Sequence, residues 1–176
     1  MPDTLHDLVT AEKAIVSPVD WGKKERRLEL KLALAIDGLT EEGLFFRACV
    51  LEHLPDAEVM FQLEYHGLRI PGGTGPLCRV EWNPLRPHNN RGRGPKEWRF
   101  AEQAGSHYHS FEDNWNAGAG ALLRDNLPVA VPVAQDIQGL TGCLDFVGNL
   151  FRINNIDVVK TPEWVLTLDL QGNANG

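Results

Sequence analysis

The 176-residue sequence has little cysteine and no long apolar run. Cys49, Cys78 and Cys143 are scattered among apolar neighbours without a Cys-x-x-Cys spacing, which predicts buried thiols, argues against a disulfide framework and favours a reducing compartment. No segment approaches the roughly 18 apolar residues of a membrane span, and the N-terminus lacks the basic start and apolar run of a signal peptide. These absences predict a cytoplasmic protein without a membrane partner.

The signatures of several enzyme classes are also missing. The chain has no Gly-x-Ser-x-Gly motif for a nucleophilic serine. It has neither the Gly-Lys-Ser/Thr ending of a phosphate-binding P-loop nor a glycine-rich dinucleotide fingerprint opening a helix. The sequence therefore leaves open whether the protein is an enzyme. The remaining indications of function are the distribution of charge and the positions of the histidines.

Charge is distributed unevenly along the chain. The formal net charge is −7, yet between His66 and Ser110 seven arginines and lysines outnumber three acidic residues. The same segment holds four of the six histidines. A local positive patch on an acidic protein can attract an anion while the overall field repels nucleic acid.

Alternating apolar residues predict a run of β-strands. The clearest covers 27–37, where every second residue from Leu28 to Ile36 is leucine or isoleucine, as on a strand with one buried face. Residues 21–24 are predicted as a turn, and the loop after Asp37-Gly38 as longer than a tight hairpin. Further strands are predicted over 14–19, 43–51, 58–65, 77–82, 98–102 and 164–170, with an extended segment over 127–133.

Helical spacing of apolar residues is confined to a few stretches. A short helix is predicted after Asp3 or Thr4, and another ending near Arg124. The strongest covers 136–151 with Asp136 as N-cap, because its apolar residues recur every three or four positions. Strands joined by turns, with the main helix late, predict one α+β domain over 1–176. We expect an antiparallel, meander-like sheet with the long helix packed on one face, and a frayed tail over 170–176.

A His-Tyr-His segment is the first candidate for chemistry. If it is extended, the imidazoles of His107 and His109 point the same way. Glu112, Asp113 or His88 could complete a mixed set of ligands, and His107, His109 and Glu112 are the predicted metal residues, with zinc or iron as the metal. Alternatively, the histidines bind backbone or the two carboxylates and shape a surface turn. Convergence of His88, His107 and His109 within about 4–5 Å would favour the metal.

The loop over 87–96 is the second candidate. Arg91, Arg93 and Lys96 alternate there with glycines that expose backbone N–H groups, and such a loop can meet phosphate or carboxylate. The residues predicted to form one binding surface are His88, Arg91, Arg93, Lys96, His107 and His109. The alternative is a solvated polar hairpin loop.

The second half of the chain carries one resemblance. The segment Gly-Ser-His-Tyr-His-Ser-Phe-Glu-Asp-Asn over 105–114, then Asn-Leu-Pro-x-Ala-x-Pro over 126–132 and a single helix, resembles small bacterial proteins to which no function is assigned. The resemblance implies a bacterial or phage source and no activity.

Three functional hypotheses follow. The leading one is a non-catalytic binding module that presents the arginine- and histidine-rich loops to an acidic protein partner or a nucleic-acid backbone. The second is a metal-dependent hydrolase or phosphodiesterase that uses His107 and His109 with Glu112 and Asp113. The third is a regulatory partner that works as an oligomer through exposed apolar strand positions such as Phe45.

Overall fold

A computed structural model describes residues 2–54, 57–70, 74–118, 126–134 and 136–164, and it shows the expected α+β architecture. The main sheet is antiparallel throughout, with the strand order β1-β3-β4-β5-β6-β9-β10 and β2 paired to β3. A separate two-stranded ribbon is formed by β7 and β8. The strands are β1 (Lys13–Ile15), β2 (Gly22–Lys24), β3 (Arg27–Ile36), β4 (Leu39–Leu51), β5 (Val59–Tyr65), β6 (Gly75–Trp82), β7 (His88–Asn89), β8 (Glu102–Gln103), β9 (His107–His109) and β10 (Val131–Pro132).

Two hairpins at the start of the sheet are tighter than predicted. Asp37 and Gly38 both have positive φ, +52° and +77°, and Ile36 pairs directly with Leu39. These are the dihedral signs of a two-residue primed turn, so the predicted longer loop is wrong. The predicted turn over 21–24 is also wrong, because Gly22–Lys24 is a strand paired with the start of β3.

One face of the sheet forms the core. The alternating leucines of β3 and their neighbours on β4 and β5 are buried, and Phe46 stacks on Phe61 at a centroid distance of 6.0 Å. The late helix, α3 (Gly139–Phe151), adds its apolar stripe to the same cluster, with Phe151 edge-on to Phe46 at 6.4 Å. All three cysteines are buried, as predicted.

The start of the first helix agrees with the sequence prediction, and that of the late helix does not. Helix α1 (Leu5–Thr10) has a full capping box between Thr4 and Asp7. Helix α3 begins three residues later than expected. Asp136 does not cap it, because its carboxylate accepts a hydrogen bond from the Gln138 side chain instead. No helix in the described ranges is both long enough and apolar enough to cross a membrane.

The predictions for residues 98–134 had mixed outcomes. The strand predicted over 98–102 is wrong: only Glu102–Gln103 is extended, as β8. A short helix, α2 (Phe111–Asn116), follows β9 directly and was not predicted. The helix predicted to end near Arg124 and the strand over 164–170 fall almost entirely outside the described residues. Of the segment predicted as extended over 127–133, Val131–Pro132 is a strand, β10, whereas Leu127 has a positive φ.

The second face of the sheet is polar, in contrast to the core. Its strand positions alternate with the core leucines, and they include ion pairs such as Arg47 with Glu29 and Lys31 with Glu64. We call this the outer face. The candidate site lies on it, where β6 meets β9.

Candidate metal centre

Strand β9 sets two histidines on the outer face. It pairs antiparallel with β6, so that His107 lies opposite Glu81 and His109 opposite Arg79. Because side chains alternate along a strand, both imidazoles share the face of these two charged residues, while Tyr108 points the other way. Both histidines are fully buried.

The third histidine comes from the two-stranded ribbon. His88 pairs with Gln103 in the ribbon, which places the half-buried His88 ring against the other two. Ring centroids lie 5.4 Å apart for His88 and His107, 4.8 Å for His88 and His109, and 5.2 Å for His107 and His109. One ring nitrogen from each residue lies within 4.8 Å of the others. The three histidines therefore converge at the spacing that the sequence analysis associates with a metal.

Backbone carbonyls fix the protonation pattern of the three rings. His107 Nδ1 lies 2.9 Å from the Gly105 carbonyl, His109 Nδ1 2.7 Å from that of Leu127, and His88 Nε2 3.0 Å from that of Pro128. A carbonyl oxygen only accepts, so each of these nitrogens must carry hydrogen. Each neutral ring then keeps one lone pair, at Nε2 of His107 and His109 and at Nδ1 of His88. Metal-binding histidines are oriented in this way.

The two buried lone pairs face a carboxylate rather than a donor. His107 Nε2 is 3.4 Å from one Glu81 oxygen and His109 Nε2 is 3.5 Å from the other. Among the residues that the structure describes, neither Nε2 atom has a hydrogen-bond partner, although both atoms are buried. Two ligand atoms that each lie ~2.1 Å from one tetrahedral ion are about 3.4 Å apart. The spacing between these nitrogens and oxygens is therefore that of ligands to a shared cation.

Burial and charge hold these groups in metal-binding states. Burial lowers the pKa of His109 to about 4 and lowers the pKa of His88 below its ordinary value. Burial alone would raise the pKa of Glu81, but contacts with His107 and His109 and the charge of Arg79 outweigh it and hold that pKa well below its usual range. At neutral pH the cluster thus offers neutral imidazoles at His88 and His109 and an ionised carboxylate at Glu81.

The segment over 127–130 holds two of the histidines. Leu127 has a positive φ of +59°, which is unfavourable for a bulky residue, and its carbonyl accepts from His109. The next carbonyl, that of Pro128, accepts from His88. Because one short stretch of backbone orients both rings, its position decides the geometry of the cluster.

Two fully buried asparagines fix this segment. The Asn90 amide donates to the Ala130 carbonyl at 2.8 Å, and its oxygen accepts from the Ala130 N–H at 2.8 Å. Asn114 makes the same pair of bonds with Val129, both at 2.9 Å. Each amide thus takes the place of a neighbouring strand. Neither asparagine was predicted from the sequence.

The carboxylate predicted to join the histidines lies elsewhere. Glu112 is an exposed residue of α2 and its carboxylate is 3.2 Å from His6. Asp113 accepts a 2.7 Å hydrogen bond from Ser110, the N-cap of α2. Helix α2 turns both residues away from the cluster. Glu81 takes their place, and its only signal in the sequence was a polar position on a predicted strand.

The predicted cationic residues divide between the cleft beside the cluster and the rest of the surface. Arg91 and Arg93 are exposed and, with His88 and the buried Arg79, line a cleft of about 500 Å³. Lys96 is exposed and is not among the residues that line this cleft. The predicted binding set is therefore partly buried and partly on the surface.

Comparison with family models, with curated proteins and with solved structures finds no match to this chain. The resemblance to small bacterial proteins stays a prediction. The geometry of His88, His107, His109 and Glu81 is therefore the main indication of function.

Proposed function

We propose that the protein is a metal-dependent hydrolase. Its metal, zinc or iron, would be held by His88, His107 and His109, with Glu81 as the carboxylate donor. The main support is that the buried Nε2 atoms of His107 and His109 have no hydrogen-bond partner among the described residues. An unsatisfied buried polar atom costs about 1–3 kcal/mol. Two such atoms facing one carboxylate are explained if a cation binds between them.

The donor set selects the metal. Three imidazole nitrogens and a carboxylate oxygen suit zinc or iron rather than calcium or magnesium, which prefer oxygen. The ring nitrogens lie up to 4.8 Å apart, so the cluster must contract by about 1 Å to reach the spacing of tetrahedral ligands. Rotation of the half-buried His88 ring can supply that movement, because His88 sits on the two-residue strand β7.

The donor set and the neighbouring Arg79 favour hydrolysis as the reaction class. Three of the four donor groups and one water would complete a tetrahedral site, and the metal would lower the pKa of that water to about 7. The Arg79 guanidinium, whose Nε lies 3.0 Å from Glu81, places positive charge beside the cluster. Such charge stabilises the oxyanion that develops when water attacks an ester or phosphoester.

Elemental analysis of protein purified without a histidine tag tests the proposal. We expect close to one zinc or iron per chain in the wild type and a loss of metal in His107→Ala. In Glu81→Gln, affinity should fall roughly 10–100-fold, the range found when groups around a metal are removed. Glu58→Gln is the matched control, because Glu58 lines the smaller cleft into which Glu81 also faces. A metal-free wild type that takes up neither zinc nor iron on titration would contradict the proposal.

A binding module is the second candidate. Arg91, Arg93 and Lys96 are exposed on one loop, where an acidic protein or a nucleic-acid backbone can reach them. His107 and His109 are fully buried, so this candidate depends on the cationic residues alone. Replacing Arg91 and Arg93 together with alanine should weaken capture of a large polyanion in a salt-dependent way. Unchanged capture would remove this candidate and leave the hydrolase unaffected.

A further inference from the structure

The cleft beside the metal centre has the size and shape of a small-molecule site. Its volume is about 500 Å³, within the roughly 300–1,000 Å³ typical of ligand pockets. His88 forms part of its wall and is also a member of the histidine cluster. A molecule bound in the cleft would therefore lie next to a metal held by that cluster.

The described wall of the cleft carries arginine and no acidic residue. Arg79, Arg91 and Arg93 line it. Glu81 lies 3.0 Å from Arg79 Nε and offsets part of its charge, whereas Arg91 is exposed on a chain whose net charge is −7. Clustered positive charge in a concave site concentrates anions.

Arg79 is the strongest indication of a specific ligand. It is nine-tenths buried; its Nε lies 3.0 Å from a Glu81 oxygen without hydrogen-bond geometry, and one terminal nitrogen donates to the Asn126 carbonyl at 3.1 Å. A guanidinium has five N–H donors. A buried cation with unused donors is costly unless an anion complements it, and Glu81 is shared with the two histidines.

We infer that this cleft binds a small substrate through an oxyanion group, a phosphate or a carboxylate, held by Arg79 at its floor and Arg91 at its mouth. Both groups accept paired hydrogen bonds from a guanidinium, which gives orientation as well as affinity. The inference rests on the proposed function only for the reaction that follows binding. The anion site itself consists of residues other than the buried metal ligands.

Isothermal titration calorimetry with inorganic phosphate and with acetate tests the inference, on both zinc-loaded and metal-free protein. We expect one of the two anions to bind with a stoichiometry near one. Arg91→Gln should weaken that binding about tenfold, as expected for loss of a charge-assisted hydrogen bond, and Arg79→Gln should weaken it further. Arg86→Gln, which removes the same charge from an exposed residue off the cleft wall, should leave it unchanged. Tighter phosphate binding identifies a phosphate substrate, and tighter acetate binding a carboxylate.

Failure of this inference differs from failure of the proposed function. If phosphate binds only to the zinc-loaded protein and Arg91→Gln and Arg79→Gln have no effect, the anion is a metal ligand and the inference is overturned. The same holds if neither anion binds. If zinc fails to bind but phosphate binding depends on Arg91, the anion site stands and the hydrolase does not. Circular dichroism of Arg79→Gln shows whether this buried variant folds, and the exposed Arg91→Gln decides the question if it does not.

Discussion

The two faces of the main sheet are stabilised in different ways. The inner face carries leucine and phenylalanine packed against α3, and stabilisation there comes from apolar area removed from water. The outer face carries charged groups and the histidine cluster, where each buried polar atom needs a particular partner. Apolar contacts tolerate small shifts, whereas hydrogen bonds and ligand sets do not. The outer face can therefore support chemistry only because the inner face holds the strands in register.

We expect the largest loss of stability from a substitution on the inner face. Phe46 and Phe45 are neighbours on β4 that point to opposite faces, so they form a matched pair. Phe46 is fully buried against Phe61 and Phe151, and Phe46→Ala should cost about 3–5 kcal/mol. Phe45 is half-buried and contacts Lys31 at 4.2 Å from the ring centroid; its loss should cost about 1–2 kcal/mol. Urea denaturation of both variants checks this, and equal costs would contradict the division between the faces.

The next effect should appear on the outer face alone, as a dependence of stability on pH. Burial lowers the pKa of His109 from its ordinary value of 6.5 to about 4. Between these values the unfolded chain binds the proton more readily than the folded one. The stability is therefore complete above pH 6.5 and is lost as the pH falls towards 4, by about 3 kcal/mol.

Denaturant titrations of metal-free protein across this pH range measure the loss. His109→Gln should remove most of the dependence, because the variant has no group to protonate there. His6→Gln serves as the control, since His6 is exposed on α1. A wild type whose stability is flat between pH 6.5 and 4 would show that His109 is accessible to protons in the folded state.

A smaller effect should follow from removing an amide that supports the cluster. Asn90→Ala leaves the buried Ala130 backbone groups without their partners, and this should cost about 2–3 kcal/mol. Zinc affinity should fall as well, because the segment over 127–130 orients two of the histidines. Asn89→Ala, at an exposed neighbour whose side-chain oxygen accepts from the Arg91 N–H, should cost less and leave zinc affinity unchanged. Thermal unfolding with and without zinc measures both effects.

The same contrast explains how much could be predicted from the sequence. The inner face repeats every second residue, so the strand from Arg27 and the α+β class were predictable. Outer-face positions recur at the same spacing, but their residue types do not show which strands lie side by side. Glu81 joins His107 only through the pairing of β6 with β9, which are far apart in the sequence, and no local pattern encodes that register.

Short strands and helices could not be predicted from the sequence for a related reason. All three residues of Gly22–Lys24 are exposed, so this strand has no apolar alternation and its sequence predicts a turn. Helix α2 is only six residues long and shows its start only in the Ser110 cap and Asp113. Asn90 and Asn114 look like ordinary loop residues until the chain brings them against the segment over 127–130. His88, His107 and His109 could be predicted as candidate site residues because histidine is rare, but the sequence does not show that they converge.

The smallest effect concerns the outer face away from the cluster. Arg47 and Glu29 form an ion pair at 3.2 Å with side chains 35% and 25% exposed. Solvent screens such a pair, so Arg47→Met should change the free energy of unfolding by less than about 1 kcal/mol and leave zinc binding unchanged. Urea denaturation checks this, with Arg27→Met, whose partner Glu58 is 37% exposed, as a second test on the neighbouring strand. If either variant is instead as damaging as Phe46→Ala, the outer face stabilises the fold as strongly as the core. A small effect would mean that stability does not depend on this ion pair, in contrast to the packing of Phe46 on the inner face.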